Sequence, residues 1–192
     1  MTPRPQKSTP MKQPHSRRHR LSYLLWLGVL GMAASAAASA QHVHGLVRLD
    51  VTLEETTLRI ELAAPLESLL GFEHRPRTPA QKQAGEAVLQ KMNAVDALIR
   101  PQASALCQPT KTTVTSEALQ AQAHQGGQHH AHADLNASFE FACERPQALG
   151  HIEIGFFEAF KRIQKIEAQM VSAKAQSKQT LKRPDKMLRL AQ

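Results

Sequence analysis

Two short runs in the first third of the chain alternate apolar and polar residues. They span residues 43–53 and 58–62, and the polar segment Glu54-Glu55-Thr56 separates them. Successive side chains of a strand point to opposite faces of a sheet, so each run places its apolar residues on one face. These are Leu49, Val51, Leu53, Leu58, Ile60 and Leu62. The pattern predicts an antiparallel hairpin with one solvated face.

The best helical pattern begins at Thr78 and ends before Pro101. Thr78 can cap the helix, Pro79 suits its first turn, and Gln81 completes a capping box. Apolar residues then recur at helical spacing, namely Val88, Met92, Val95 and Ile99. An apolar patch ahead of this helix is expected to fold over one end of the sheet and contains Leu66, Leu69, Leu70 and Phe72.

Strand patterns return in the second half of the chain. They cover residues 106–115, 135–143 and 152–156, with weaker runs at 166–171 and 187–190. Runs of strands with one convincing helix between them predict an α+β fold. We expect a mostly antiparallel sheet sandwich with one main helix.

A different kind of segment, residues 118–134, lies between two of these strands. It has no apolar periodicity and is rich in Gln, Ala and Gly. This composition predicts a mobile loop. Its potential metal ligands are His124, His129, His130, His132 and Asp134.

The first 40 residues have the layout of a secretory signal. Six basic residues and no acidic ones occupy positions 1–20, an uncharged apolar stretch follows, and Ala38-Ser39-Ala40 offers a cleavage site. The alternative is an uncleaved anchor, but the strongly apolar part is about a dozen residues long, short of the roughly 20 that cross a bilayer. We expect residues 41–192 to form a single periplasmic domain without stable membrane insertion.

Removal of this leader changes the charge of the protein. The leader holds six of the 24 basic residues and none of the 16 acidic ones, which leaves 18 basic against 16 acidic residues, a formal net charge of +2. The high positive charge of the full sequence was the main argument for a nucleic-acid partner, and the small net charge that remains removes this argument.

Two cysteines, Cys107 and Cys143, lie in the predicted exported part. In an oxidising compartment an even pair indicates a disulfide bond. The alternative, a metal-thiolate or nucleophilic pair, lacks the short Cys-x-x-Cys spacing common at such sites.

Histidine is the residue that suggests chemistry. Four of the ten histidines fall within nine positions of the loop, and neutral imidazole binds Zn(II), Cu(II) and Ni(II). A plain polar loop and a pH-sensing loop are the alternatives. His42 and His44, at the predicted mature start, would point to the same side of an extended chain and could share one ion.

The choice of metal rests partly on elimination. Cleavage after Ala40 places His42 second and His44 fourth, so the amino-terminal Cu(II) and Ni(II) chelate, which needs histidine third, should be absent. Copper(I) sites use clustered methionines, and the mature methionines are far apart. Zinc is therefore favoured. His74 and His151 are further single candidates, whereas Glu73 and His74 should point apart on an extended segment.

These elements together resemble the ZrgA-like periplasmic zinc-uptake proteins. The resemblance rests on His42-Val43-His44-Gly45, on Pro65 followed by Leu70-Gly71-Phe72-Glu73-His74, on a histidine-rich insertion between Cys107 and Cys143, and on Phe156-Phe157. It implies zinc capture in the periplasm in association with an inner-membrane zinc transporter. The loop departs from the family, because Asp134 is its only carboxylate.

Two other classes of function compete with zinc binding. An enzyme is not expected, since the sequence has no His-Glu-x-x-His and no Gly-x-Ser-x-Gly motif. A metal-independent envelope interaction or assembly module remains the alternative, and it would bind its partner equally with and without zinc.

Overall fold

The computed structural model describes residues 44–120 and 133–190. Within them the strands are β1 (Leu46–Glu54), β2 (Thr57–Pro65), β3 (Ile99–Pro101), β4 (Cys107–Thr115), β5 (Asp134–Cys143), β6 (His151–Ile154), β7 (Lys165–Ser172), β8 (Gln176–Lys182) and β9 (Met187–Arg189). The helices are α1 (Leu66–Leu70), α2 (Pro79–Asn93), α3 (Val95–Leu98) and α4 (Phe156–Ala159). The predicted leader lies outside the described residues.

The strands form two sheets. Six of them pair in the order β4-β5-β2-β1-β7-β8, and the other three pair in the order β3-β6-β9. Strands β1 and β7 run parallel, and the other described pairs are antiparallel. The predicted α+β class is confirmed, with a larger sheet that is mixed and open rather than antiparallel throughout.

The predicted hairpin is β1 and β2. Leu53 pairs with Leu58 and Glu54 with Thr57, so Glu55 and Thr56 form a two-residue turn. Glu55 has a positive φ of 49°, as the right-handed twist of a tight hairpin demands at this position. The apolar face is buried, and Asp50 is exposed on the other face.

Helix α2 begins as predicted. The Thr78 hydroxyl accepts from the Gln81 amide, and the Gln81 side chain accepts from the Thr78 amide. The predicted extension to Pro101 is wrong, because α2 ends at Asn93, whose side chain bonds the Leu89 carbonyl. Proline disfavours helix in the residue before it, and β3 pairs instead with β6.

One other boundary and one whole strand differ from the sequence-based expectation. The strand predicted to reach Phe156 ends at Ile154, and Phe156 starts α4. Strand β8 was not predicted, since its sequence QSKQTLK is polar and only Leu181 is buried. This segment forms a strand because it pairs along the edge of β7.

One hydrophobic cluster contains residues of both sheets. Phe139 of β5 and Phe156 of α4 are fully buried with ring centroids 6.4 Å apart, and Ile152 of β6 and Leu188 of β9 belong to the same cluster. Burial of each large apolar side chain contributes about 1.5–3 kcal/mol. The inner face of the larger sheet packs in this shared core, and the outer face of the same sheet is open to solvent.

The predicted disulfide joins Cys107 and Cys143. The two residues are directly paired between β4 and β5, at the end of the ladder beside the hairpin turn, where the Cys143 amide donates to the Thr56 carbonyl. The bond therefore ties the edge strand to the sheet. Among the described residues, no helix is long and apolar enough to span a membrane.

Candidate functional site

Several chain segments meet at one end of the six-stranded sheet. The strand registers place the starts of β1, β5 and β7 and the ends of β2, β4 and β8 at this end. We call it the His44 end, because His44 lies two residues before β1. The hairpin turn and the disulfide occupy the opposite end, about 25 Å away along the strands.

His44 contacts Glu67, a residue of α1. The two side chains approach with His44 Nδ1 3.0 Å from Glu67 Oε2, and they differ in exposure, at 75% for His44 and 19% for Glu67. The contact has the distance of an ion pair but not the alignment of a hydrogen bond, and Oε2 has no hydrogen-bond partner among the described residues. A carboxylate can only accept, so Nδ1 is the nitrogen that must carry the proton for the two groups to attract each other. In the neutral ring Nε2 is then the nitrogen with the lone pair.

Arg162 holds the same carboxylate from the other side. Its Nη2 donates to Glu67 Oε1 at 3.3 Å, and its Nε donates to the Glu67 backbone carbonyl at 3.2 Å. Burial raises the pKa of the Glu67 carboxyl, but the close contacts with His44 and Arg162 outweigh it and leave the pKa below its ordinary value. Glu67 is therefore an anion at neutral pH.

Local backbone geometry brings these residues together. Gly45 has a φ of 74°, a conformation that favours glycine, and its carbonyl accepts from the amides of Gln164 and Lys165. Ser68 is fully buried and donates to the Leu46 carbonyl, which fastens α1 to the start of β1. Glu67 thus faces the residue that precedes the strand.

A shallow groove of about 380 Å³ surrounds this contact. Its lining combines the imidazole and carboxylate with two cationic side chains and consists of His44, Gly45, Glu67, Lys161, Arg162 and Gln164. The groove is open to solvent around the imidazole, so an ion can reach Nε2 directly.

The histidine-rich segment starts and ends at the same end of the sheet. Asp134 pairs with Pro65 at the end of β2, and the Ala133 carbonyl accepts from the Leu66 amide at 2.7 Å. On the other side the segment leaves from Ser116, after β4. Residues 118–120, predicted as loop, form a turn on Ser116 with Ala118 buried. His42, His124, His129, His130 and His132 lie outside the described residues.

His74 lies in the segment between α1 and α2. Its Nδ1 is 2.9 Å from the Arg75 carbonyl oxygen, and its ring stacks on Phe72 with centroids 5.0 Å apart. Since a carbonyl only accepts, Nδ1 carries the proton here as well. The neutral His74 ring therefore also has its lone pair on Nε2. The orientation of this ring, however, is set by neighbouring residues of its own segment.

The structure separates the other two described candidates. Asp134 is half-buried at the start of β5, at the His44 end. His151 opens β6 in the three-stranded sheet, where it pairs with Arg189. In the part of the chain that the structure describes, no three His, Cys, Asp or Glu side chains are grouped closely enough to hold a metal ion.

Glu67 and Arg162 were not foreseen from the sequence. Glu67 stands next to Leu66 in an apolar patch, where its position in the first turn of a short helix is the only local signal. Arg162 is 95 residues away from it. A contact between two residues so far apart in the sequence produces no local pattern from which it could be predicted.

The fold and the site define a class of protein, a small α+β protein that presents an imidazole where a histidine-rich segment joins its sheet. Comparison with protein families makes the assignment specific. The chain belongs to the ZrgA family of zinc uptake proteins, which matches residues 41–190. This family membership gives the protein a role in zinc uptake. The search of curated proteins found no relative that matches the chain.

Proposed function

We propose that the protein is a periplasmic zinc-binding protein that captures Zn(II) and passes it to an inner-membrane zinc transporter. It acts by binding and release and catalyses no reaction. Support for zinc comes from the family match over residues 41–190. Support for export comes from the leader-like residues 1–40 and from the Cys107–Cys143 disulfide, which suits an oxidising compartment.

The observation that carries the proposal is the position of His44. It lies at the sheet end from which the histidine-rich segment leaves at Ser116 and to which it returns at Ala133. His132 is the residue before Ala133, and His42 is two residues before His44. The sequence therefore joins His42 and His132, within two residues of chain, to described residues at this end of the sheet.

Zinc suits this kind of ligand set. Zn(II) takes four ligands in a tetrahedral arrangement and has no other geometric demand, so it accepts imidazoles from separate segments. We propose His44 as the ligand on the sheet, with His42 and the loop histidines as its partners. A site with some ligands on a loop can open in steps, which favours transfer of the ion to a transporter.

A competition titration with a chromophoric zinc chelator tests the proposal. The full chain is expressed with its own leader and the protein is purified from the periplasm. One variant carries His44→Asn, and another carries Asn at His124, His129, His130 and His132. Loss of an outer partner of a metal ligand commonly costs 10–100-fold in affinity, so loss of a ligand should cost at least about tenfold.

The matched control is His151→Asn, which removes one imidazole from the other sheet and should leave the affinity within about twofold. Wild-type protein that binds zinc no more tightly than the His44 and loop variants would contradict the proposal. Equal binding of a partner by zinc-free and zinc-loaded protein would instead favour a metal-independent interaction module.

A further inference from the structure

We propose that Glu67 is a positioning residue for His44, and that Arg162 holds Glu67 in place for this task. Glu67 accepts the Nδ1 proton of His44 and so makes Nε2 the nitrogen that meets the metal. The inference rests on the proposed zinc site and adds the residues that set its orientation. It concerns His44, Glu67 and Arg162, which the structure describes in full.

The Glu67 carboxylate contacts two partners at once. Oε2 faces His44 at 3.0 Å and Oε1 faces Arg162 at 3.3 Å, so each oxygen has its own contact. The Glu67 side chain is 19% exposed, against 75% for His44 and 53% for Arg162, so the carboxylate is the least exposed of the three groups. A histidine that binds a metal commonly gives its other ring N–H to a carboxylate, which fixes the tautomer and makes the ring a better ligand.

Arg162 is itself fixed from several directions. Its guanidinium also bonds the Glu67 backbone carbonyl, and it packs against Gly71, where even a Cβ would lie 2.7 Å from its Cζ. The loop that carries Arg162 is held by Arg183. Nη2 of Arg183 lies 3.1–3.2 Å from the backbone oxygens of Phe160, Lys161 and Ile163.

This chain of contacts explains how an exposed imidazole keeps one orientation. A side chain that is 75% exposed would otherwise sample several rotamers and lose that freedom when the metal binds. Glu67 limits this loss before the metal arrives, and Arg162 limits the motion of Glu67. The ion pair of Arg162 with Glu67 also neutralises the carboxylate charge near the site.

The first test reads the tautomer of His44 in zinc-free protein. Histidine ring ¹⁵N spectra of the periplasmic protein, at a pH where the ring is neutral, identify His44 by its absence in His44→Asn. We expect a protonated Nδ1 in the wild type and a shift toward the Nε2–H form in Glu67→Met, which keeps side-chain length and removes the acceptor. Glu67→Gln restores an acceptor and should recover most of the Nδ1–H form.

The second test measures zinc affinity by chelator competition. Glu67→Met should weaken binding about 10–100-fold, the range found for outer partners of metal ligands, and Glu67→Gln should weaken it less. Arg162→Met should also weaken binding, with Arg162→Lys closer to wild type. The matched control is Glu140→Gln, another partly buried carboxylate, which pairs with Arg59 and lies near no described histidine contact. It should bind zinc as the wild type does.

Several outcomes would overturn the proposal. A wild-type His44 protonated at Nε2, or a Glu67→Met variant with unchanged tautomer and zinc affinity, removes the positioning role. Tighter zinc binding in Arg162→Met would mean that Glu67 is a direct ligand that the arginine blocks. Zinc binding that does not depend on His44 would instead contradict the proposed function, and the tautomer of the zinc-free protein still decides the role of Glu67.

Discussion

Glycine fits positions 71 and 155 for different physical reasons. Gly71 has a φ of 86°, which glycine adopts at little cost, and the nearest atoms to an added Cβ belong to the guanidinium of Arg162. Gly155 has an ordinary φ, but a Cβ there would lie 2.0 Å from the Ala97 backbone oxygen. The guanidinium can shift at the cost of its contacts with Glu67, whereas a packed backbone carbonyl cannot shift.

Alanine at these two positions should therefore give different results. Gly155→Ala should destabilise the fold by about 3 kcal/mol or more, since the overpacking strain falls on the backbone. Gly71→Ala should cost about 1–2 kcal/mol for the left-handed conformation and should also weaken zinc binding by displacing Arg162. Urea denaturation measures the free energy of unfolding of each variant. A Gly155→Ala protein as stable as the wild type would show that the α3–α4 contact is looser than described.

The lowered pKa of Glu153 predicts how one part of the folding stability depends on pH under acidic conditions. Hydrogen bonds from Arg100 and Lys186 lower its pKa from an ordinary 4.5 to about 2. A carboxyl with a lowered pKa stabilises the folded state above its unfolded-state pKa and loses this contribution as the pH falls through the folded value.

Glu153→Gln should therefore lower the melting temperature at neutral pH by a small amount, and the difference from the wild type should shrink between about pH 4.5 and about pH 2. Thermal melts across this pH range, followed by circular dichroism, provide the measurement. A difference that stays constant down to pH 2 would mean that the ion pairs with Arg100 and Lys186 do not stabilise the protein.

At the scale of elements, β4 and β5 are linked to each other at both ends of the larger sheet. The disulfide joins them beside the hairpin turn, and the histidine-rich segment joins them at the His44 end. The bond closes a sequence separation of 36 residues. On the chain-entropy estimate, such a closure stabilises the fold by about 3–4 kcal/mol.

A variant with serine at both Cys107 and Cys143 should lose about 3–4 kcal/mol of unfolding free energy. Below its own melting temperature it should still bind zinc with nearly wild-type affinity, because the disulfide lies at the opposite end of β4 and β5. Urea denaturation and chelator competition on the same sample separate the two effects. Loss of zinc affinity in a variant that is still folded would show that the disulfide shapes the site directly.

The sequence predicted the elements whose signals are local. The alternation in β1, β2 and β5, the capping box of α2 and the cysteine pair all confirm expectations that rest on a few neighbouring residues. Strand β8 has too few apolar residues to reveal itself, and the parallel pairing of β1 with β7 joins segments more than 100 residues apart. For the same reason His44 could be named from the sequence but its partner Glu67 could not.

At the scale of the whole described fold, the stabilising features and the residues proposed to bind zinc occupy opposite ends of one sheet. The disulfide and the tight hairpin lie at one end, and His44 with the junctions of the histidine-rich segment lies at the other. In the proposed function, the sheet between them would allow an ion to exchange at the His44 end without unfolding of the core. This arrangement suits a protein that binds zinc and must also release it.

The most direct test of zinc capture is an anomalous difference map, collected at the zinc absorption edge, from a crystal of the zinc-loaded periplasmic protein. We expect a peak about 2.0–2.1 Å from His44 Nε2, with imidazoles from the amino-terminal or histidine-rich segment completing the site. A fully loaded crystal whose zinc peaks lie only at His151, or at no histidine of this end of the sheet, would contradict the account.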